Sequence, residues 1–167
     1  MPKLFMVYLG GRATTSHIEL HDVRFVVGHS IEETYPTLRQ EWFGDLAGLH
    51  IDSYMEVQNV DGYKVELHDS PSSQTERLFF VNIGGYDPDN MLEQHQIGLF
   101  VADSPSEAKK RAKEALLFDI IDQHKDDLHA VDDCFSLGQT DQYYLHLEPG
   151  GMPQRLKPDW FGYNVIG

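Results

Sequence analysis

The octapeptide Leu4–Gly11 (LFMVYLGG) is written a second time, seventy-four residues later, as Leu78–Gly85 (LFFVNIGG), with five of its eight residues kept. Kept without a gap through Phe43 and Leu117, that offset makes ten of forty positions identical. They are Leu4/Leu78, Phe5/Phe79, Val7/Val81, Gly10/Gly84, Gly11/Gly85, Glu19/Glu93, His21/His95, Val27/Val101, Ser30/Ser104 and Glu33/Glu107. Residue frequencies alone would give roughly two or three, so the chain is read as an internal duplication before anything else. A unit that cannot bury its own sheet face alone buries it against its twin. The expectation is therefore one compact α+β body with pseudo-two-fold symmetry.

Lys3–Leu9 is apolar almost without a break and rich in Val and aromatics, which predicts a strand buried on both faces and stopped by Gly10-Gly11. His21–His29 is a second strand, with Val23, Phe25 and Val27 on one face. Ser30-Ile-Glu-Glu33 reads as a capping box, followed by a helical stripe of Ile31, Tyr35, Leu38 and Trp42 that Pro36 should kink. Ile51–Val60 is a third strand, and Asp61-Gly62 is a hairpin turn returning through Tyr63–Leu67.

The second copy repeats this order. Leu78–Ile83 and Gln96–Ala102 are strands, and Ser104-Pro-Ser-Glu107 starts a helix with the stripe Ala108, Ala112, Ala115, Leu116 and Ile120. Leu128–Leu137 parallels Leu49–Val57 with one extra residue near Ala130, a candidate β-bulge, and Tyr143–Leu147 parallels Tyr63–Leu67. Each copy is thus a β-β-α-β-β unit, giving a largely antiparallel sheet with two helices on it. The boundaries are 1–67 for copy one, 68–77 for a polar linker, 78–147 for copy two and 148–167 for a C-terminal arm. The arm has no counterpart in copy one. It is expected to dock on the body, with a homo-oligomer contact as the alternative.

The net charge of −14 removes the basic surface that nucleic-acid binding needs. The cluster Lys109, Lys110, Arg111 and Lys113 is one solvated helix face. No apolar run reaches the roughly 20 residues of a membrane span, and the first residues read as a strand, not a signal peptide. The single cysteine, Cys134, excludes an intramolecular disulfide and a multi-cysteine zinc site, and is read as buried and inert. A cytoplasmic location is the default.

Strands and caps account for most of what the copies share. They leave Glu19-x-His21 and Glu93-x-His95 unexplained, together with His50 and Asp52 in copy one and His129 and Asp132 in copy two. Side chains two apart on an extended segment point the same way. Glu19 with His21, and Glu93 with His95, are therefore candidate ligand-binding pairs or dyads. With His50, Asp52, His129 and Asp132 added as candidate metal ligands, each copy offers imidazoles and carboxylates suited to Zn, Mn or non-haem Fe. The plainer reading makes these residues ordinary pairs at strand starts. The glycine pairs lack a phosphate-binding fingerprint, Asp87–Met91 lacks the closing ligands of a calcium loop, and no known nucleophile or zinc-protease motif occurs.

This order (strand-Gly-Gly, Glu-x-His, a β-run to Ser-x-x-Glu and a helix, then Leu-His and an Asp) resembles a bacterial group, domain-of-unknown-function family 1543, over Leu4–Leu67 and Leu78–Leu147. The resemblance implies one or two tandem copies and no assigned activity. The expected function is a duplicated, non-enzymatic binding module for a small ligand or a protein partner. The alternative is a metal-binding protein or metal-dependent hydrolase built on the paired Glu-x-His and His/Asp residues.

Overall fold

The computed structural model describes residues 1–116, 129–136, 139–140 and 142–167, with backbone alone for 129–136 and 139–140. Ile120, Leu128 and Leu137 lie outside the described residues, as do the side chains of His129, Asp132 and Cys134.

The first half contains β1 (Lys3–Gly11), β2 (Leu20–Gly28), a 3-10 turn (Glu32–Thr34) running into α1 (Tyr35–Glu41), β3 (His50–Glu56), β4 (Asn59–Val60) and β5 (Tyr63–His68). The second contains β6 (Arg77–Gly85), β7 (Gln94–Ala102), α2 (Pro105–Ala115), β8 (His129–Ser136), β9 (Gln139–Thr140) and β10 (Tyr143–Pro149), followed by β11 (Trp160–Val165). Among the described residues every strand pairing is antiparallel, in sheets ordered β11-β3-β1-β2, β7-β6-β8 and β4-β5-β10-β9. Mostly antiparallel sheets with two short helices make an α+β architecture. Each half keeps a sheet of its own, and the third sheet draws strands from both.

Alternation along β1 explains the layers. Phe5, Val7 and Leu9 point to one side and pack with Ile31, Leu38 and Trp42 around α1. Leu4 and Met6 point to the other and join Leu78 and Phe80 of β6 in a shared core. On β6, Phe79, Val81 and Ile83 pack outward against Ala108 and Ala112 of α2. The two sheets thus face each other with a helix outside each, and Phe25 meets Phe80 edge-to-face at 5.5 Å between them. Val57, Val60, Leu145 and Leu147 bring the third sheet onto the same core. A fully buried side chain such as Leu9 is worth about 1.5–3 kcal/mol of transfer free energy.

Several local expectations meet their physical reasons here. Asp61 (φ 52°) and Gly62 (φ 83°) both take the left-handed conformations of a tight hairpin turn. Ser104 accepts a hydrogen bond from the Glu107 N–H at 3.3 Å and caps α2, with Pro105 in its first turn. The first half differs. The Ser30 hydroxyl turns to Glu32 instead of to a backbone N–H, and Glu33 reaches back to accept from the His29 N–H at 2.9 Å. Pro36 falls at the start of α1 and not in its interior. The α-helix begins at Tyr35, so Pro36 sits in its first turn, where a missing N–H costs nothing.

The glycine pairs close their strands from within: Gly10-Gly11 and Gly84-Gly85 are the last two paired residues of β1 and β6. The arm adds β11 to the edge of β3, so its docking surface is the first half of its own chain. Among the described residues no helix is long and apolar enough to cross a membrane.

Candidate functional site

Gly10 lies mid-sheet, paired with His21 on β2 and with His50 on β3. Two imidazole-bearing residues therefore flank a position that has no side chain. A β-bulge at Asp52, which is skipped between the pairs Tyr8/Ser53 and Leu9/Ile51, brings its carboxylate over the same spot. A Cβ on Gly10 would overlap the His50 Nε2 and sit 2.7 Å from Asp52 Oδ2. Glycine at this place makes room for the side chains of its neighbours.

Glu19, just before β2, completes a ring of four. His50 Nε2 lies 3.2 Å from Glu19 Oε1 and 3.3 Å from Asp52 Oδ1. His21 Nε2 lies 3.4 Å from Asp52 Oδ2 and 3.7 Å from Glu19 Oε2. Each carboxylate thus spans both imidazoles, one oxygen to each. His50 is 1% exposed, while the other three are open to solvent in part.

The tautomer of His50 follows from its other nitrogen. Nδ1 is 2.8 Å from the Gly48 carbonyl, which only accepts, so Nδ1 carries hydrogen and Nε2 faces the carboxylates. Buried as they are, His50 Nε2 and Asp52 Oδ2 have no partner in hydrogen-bonding geometry. Tyrosines hold both rings: Tyr8 stacks on His21 at 5.1 Å, and Tyr163 from β11 lies over His50 at 4.0 Å. Burial, then the charges of Asp52 and Glu19, hold the Tyr8 phenol above its ordinary pKa. Among the described residues, no group of three or more His, Cys, Asp or Glu side chains, as placed, stands ready to hold a metal ion.

The second half repeats only part of this. Gly84 pairs with His95 on β7, and Glu93 lies 3.4 Å from His95. Asn82 stands in the register place of Tyr8, with its amide nitrogen 3.4 Å from His95 Nδ1. On β8, however, the residue opposite Gly84 is Ala130, and His129 falls opposite Gly85. The bulge is at Asp132, matching Asp52, so the anticipated extra residue near Ala130 is not where the halves differ. Counted back from the two bulges, His50 corresponds to Ala130 and Leu49 to His129. Glu19, His21, His50 and Asp52 are brought together, and Glu93 and His95 form a pair. His129 and Asp132 are located by backbone register alone.

Between the facing sheets runs a cleft of about 620 Å³. Its walls carry four pairs at the same offset of seventy-four: Met6 and Phe80, Tyr8 and Asn82, His21 and His95, and Val23 and Ile97. Asp22, Tyr54 and Met55 also line it, and Leu156, Lys157 and Pro158 from the C-terminal arm border it. Sequence reasoning missed Gly10 as a site residue, together with Gly48, Tyr8 and Tyr163. Only Gly10 carried a signal, its recurrence as Gly84.

A family model with the description "Domain of Unknown Function (DUF1543)" matches residues 16–67 and 90–147. The crystal structure of a protein Il1583 from Idiomarina loihiensis is similar over 100% of this chain and 99% of that one, with 40% sequence identity and a TM-score of 0.80. No curated protein matches the chain.

Proposed function

The chain belongs to the Domain of Unknown Function (DUF1543) family, whose description carries no activity, and we propose that it is a duplicated binding module that takes a small molecule in the cleft between its halves. The observation carrying this reading is the lining itself, in which the same four positions of each half face one space. In this reading residues 1–67 and 78–147 are the two copies, 68–77 is the linker, and the arm 148–167 borders the cleft. The volume is within the roughly 300–1,000 Å³ of small-molecule sites.

The chemistry of the walls defines the class of ligand. Met6, Val23, Met55, Phe80 and Ile97 would take an apolar body of about drug-fragment size. His21, His95, Tyr8, Asn82 and Asp22 would meet a hydrogen-bonding or cationic head. Glu19 and Asp52, beside His21, add negative charge at that end. Binding draws its free energy from desolvating the walls and its selectivity from the polar rim, and no bond is made or broken.

A thermal-shift screen against a small-molecule library tests the reading. A ligand at 100 times its Kd stabilises the native state by about 2.7 kcal/mol, a readily measured rise in Tm. Ile97→Trp, which fills the cleft, should abolish that rise. A hit that survives Ile97→Trp, or a library without hits, refutes the cleft as the binding site.

A further inference from the structure

We propose that Glu19, His21, His50 and Asp52 form a single site for a divalent transition-metal ion, confined to the first half of the chain.

The argument rests on what faces His50 Nε2. With hydrogen on Nδ1, a neutral imidazole presents a lone pair at Nε2. Carboxylate oxygens at 3.2 and 3.3 Å would then place acceptor against acceptor in a site closed to water on the His50 side. A cation between them relieves the repulsion, and the buried Nε2, which has no hydrogen-bond partner, faces the place where a metal ion would sit.

The four side chains are close enough to share an ion, since each imidazole Nε2 has an oxygen of both carboxylates within 3.2–3.7 Å. The side chains as placed do not hold an ion, because each carboxylate divides its oxygens between the two rings. The terminal torsions of Asp and Glu are broad and soft. Turning them brings one oxygen of each carboxylate toward a common centre. The Nδ1–H bond from His50 to Gly48 is the backbone brace that metal-ligating histidines use. Two imidazoles, two carboxylates and no thiolate suit Zn or Mn.

The second half lacks a counterpart of His50, because Ala130 occupies that register position. The stoichiometry is therefore one ion per chain. This proposal goes beyond the cleft reading but shares His21 with it, and Ile97→Trp separates the two because it alters none of the four ligands.

The test uses full-length protein purified without a histidine tag, stripped with chelator and titrated with zinc sulfate by calorimetry, with elemental analysis of the reloaded protein. One Zn per chain is expected. His21→Gln and Asp52→Asn, both at partly exposed positions and checked for native circular dichroism, should each weaken binding by more than about tenfold. His95→Gln, Glu93→Gln and Ile97→Trp should leave it unchanged. Absence of stoichiometric Zn, two ions per chain, or equal loss on His95→Gln would overturn the site. Zn retained in Ile97→Trp while small-molecule binding disappears would keep the metal site even if the cleft ligand were misassigned.

Discussion

The first half covers its sheet with the large side chains of Ile31, Leu38 and Trp42, whereas the second covers the matching face with Ala108 and Ala112. Leu38 on α1, with Ile31 and Trp42 on either side of the helix, packs over the first sheet, and the methyl groups of Ala108 and Ala112 on α2 pack over the second. The polar ends of the sheets differ in the same manner. Gly10 sits between two histidines and Gly84 between a histidine and an alanine. Strand order, register and bulge are common to both halves, while side chains at equal positions differ. The backbone frame thus constrains what each position faces, and leaves open whether a ligand set is assembled there.

The helices give the strongest test of that contrast. Leu38→Ala should leave a cavity costing about 2–5 kcal/mol, whereas Ala112→Leu should overpack at about 1–3 kcal/mol, both read from urea unfolding. Similar small effects from both changes would mean that the helices pack alike after all. Next comes Gly10→Ala, whose methyl collides with His50 and Asp52 and should cost about 1–3 kcal/mol. Gly84→Ala, opposite Ala130, should cost less, and equal losses would undo the asymmetry drawn between the two sites.

The smallest effects are expected at the helix starts. Ser104→Ala removes a working cap and should cost about 1 kcal/mol, while Ser30→Ala should change stability by no more than about 0.5 kcal/mol. Glu33 takes the role in the first half, held below the ordinary carboxylate range by the His29 N–H and then by the His29 ring. A lowered folded pKa gives stability that is present above the unfolded value and lost as pH falls through the folded one. The Tm gap between wild type and Glu33→Gln should therefore shrink below about pH 4. A gap that widens on acidification would show that the pairing does not stabilise the helix start.

Much of this was legible in the residues. Alternation placed Phe5, Val7 and Leu9 opposite Leu4 and Met6, and Asp61-Gly62 announced its turn. The recurrence of Glu-x-His marked two pairs that the fold does bring within 3.4–3.7 Å. The site as a whole was not legible, for three physical reasons. A bulge has no compositional signature, so the offset between His50 and His129 looked like a match when the register makes it a miss by one residue. Glycine pairs usually punctuate, and only the pairing of β2 and β3 on both sides of Gly10 makes it an interior position. Tyr163 reaches His50 by a strand pairing between distant parts of the chain, which no local pattern encodes.

The third sheet has a consequence for the segment 69–76 that precedes β6. Because β5 pairs with β10, the hairpins of the two halves hold one another directly through Tyr144–Pro149 and Tyr63–His68. The short connection turns that pairing into an intramolecular event, with an effective concentration on the order of millimolar. Even a modest strand–strand affinity is then nearly saturated. In these terms residues 69–76 are a tether that sets the strength of the clasp, and Gln74 fastens it by donating to the Leu147 carbonyl at 2.6 Å and accepting from the Leu147 N–H at 3.0 Å.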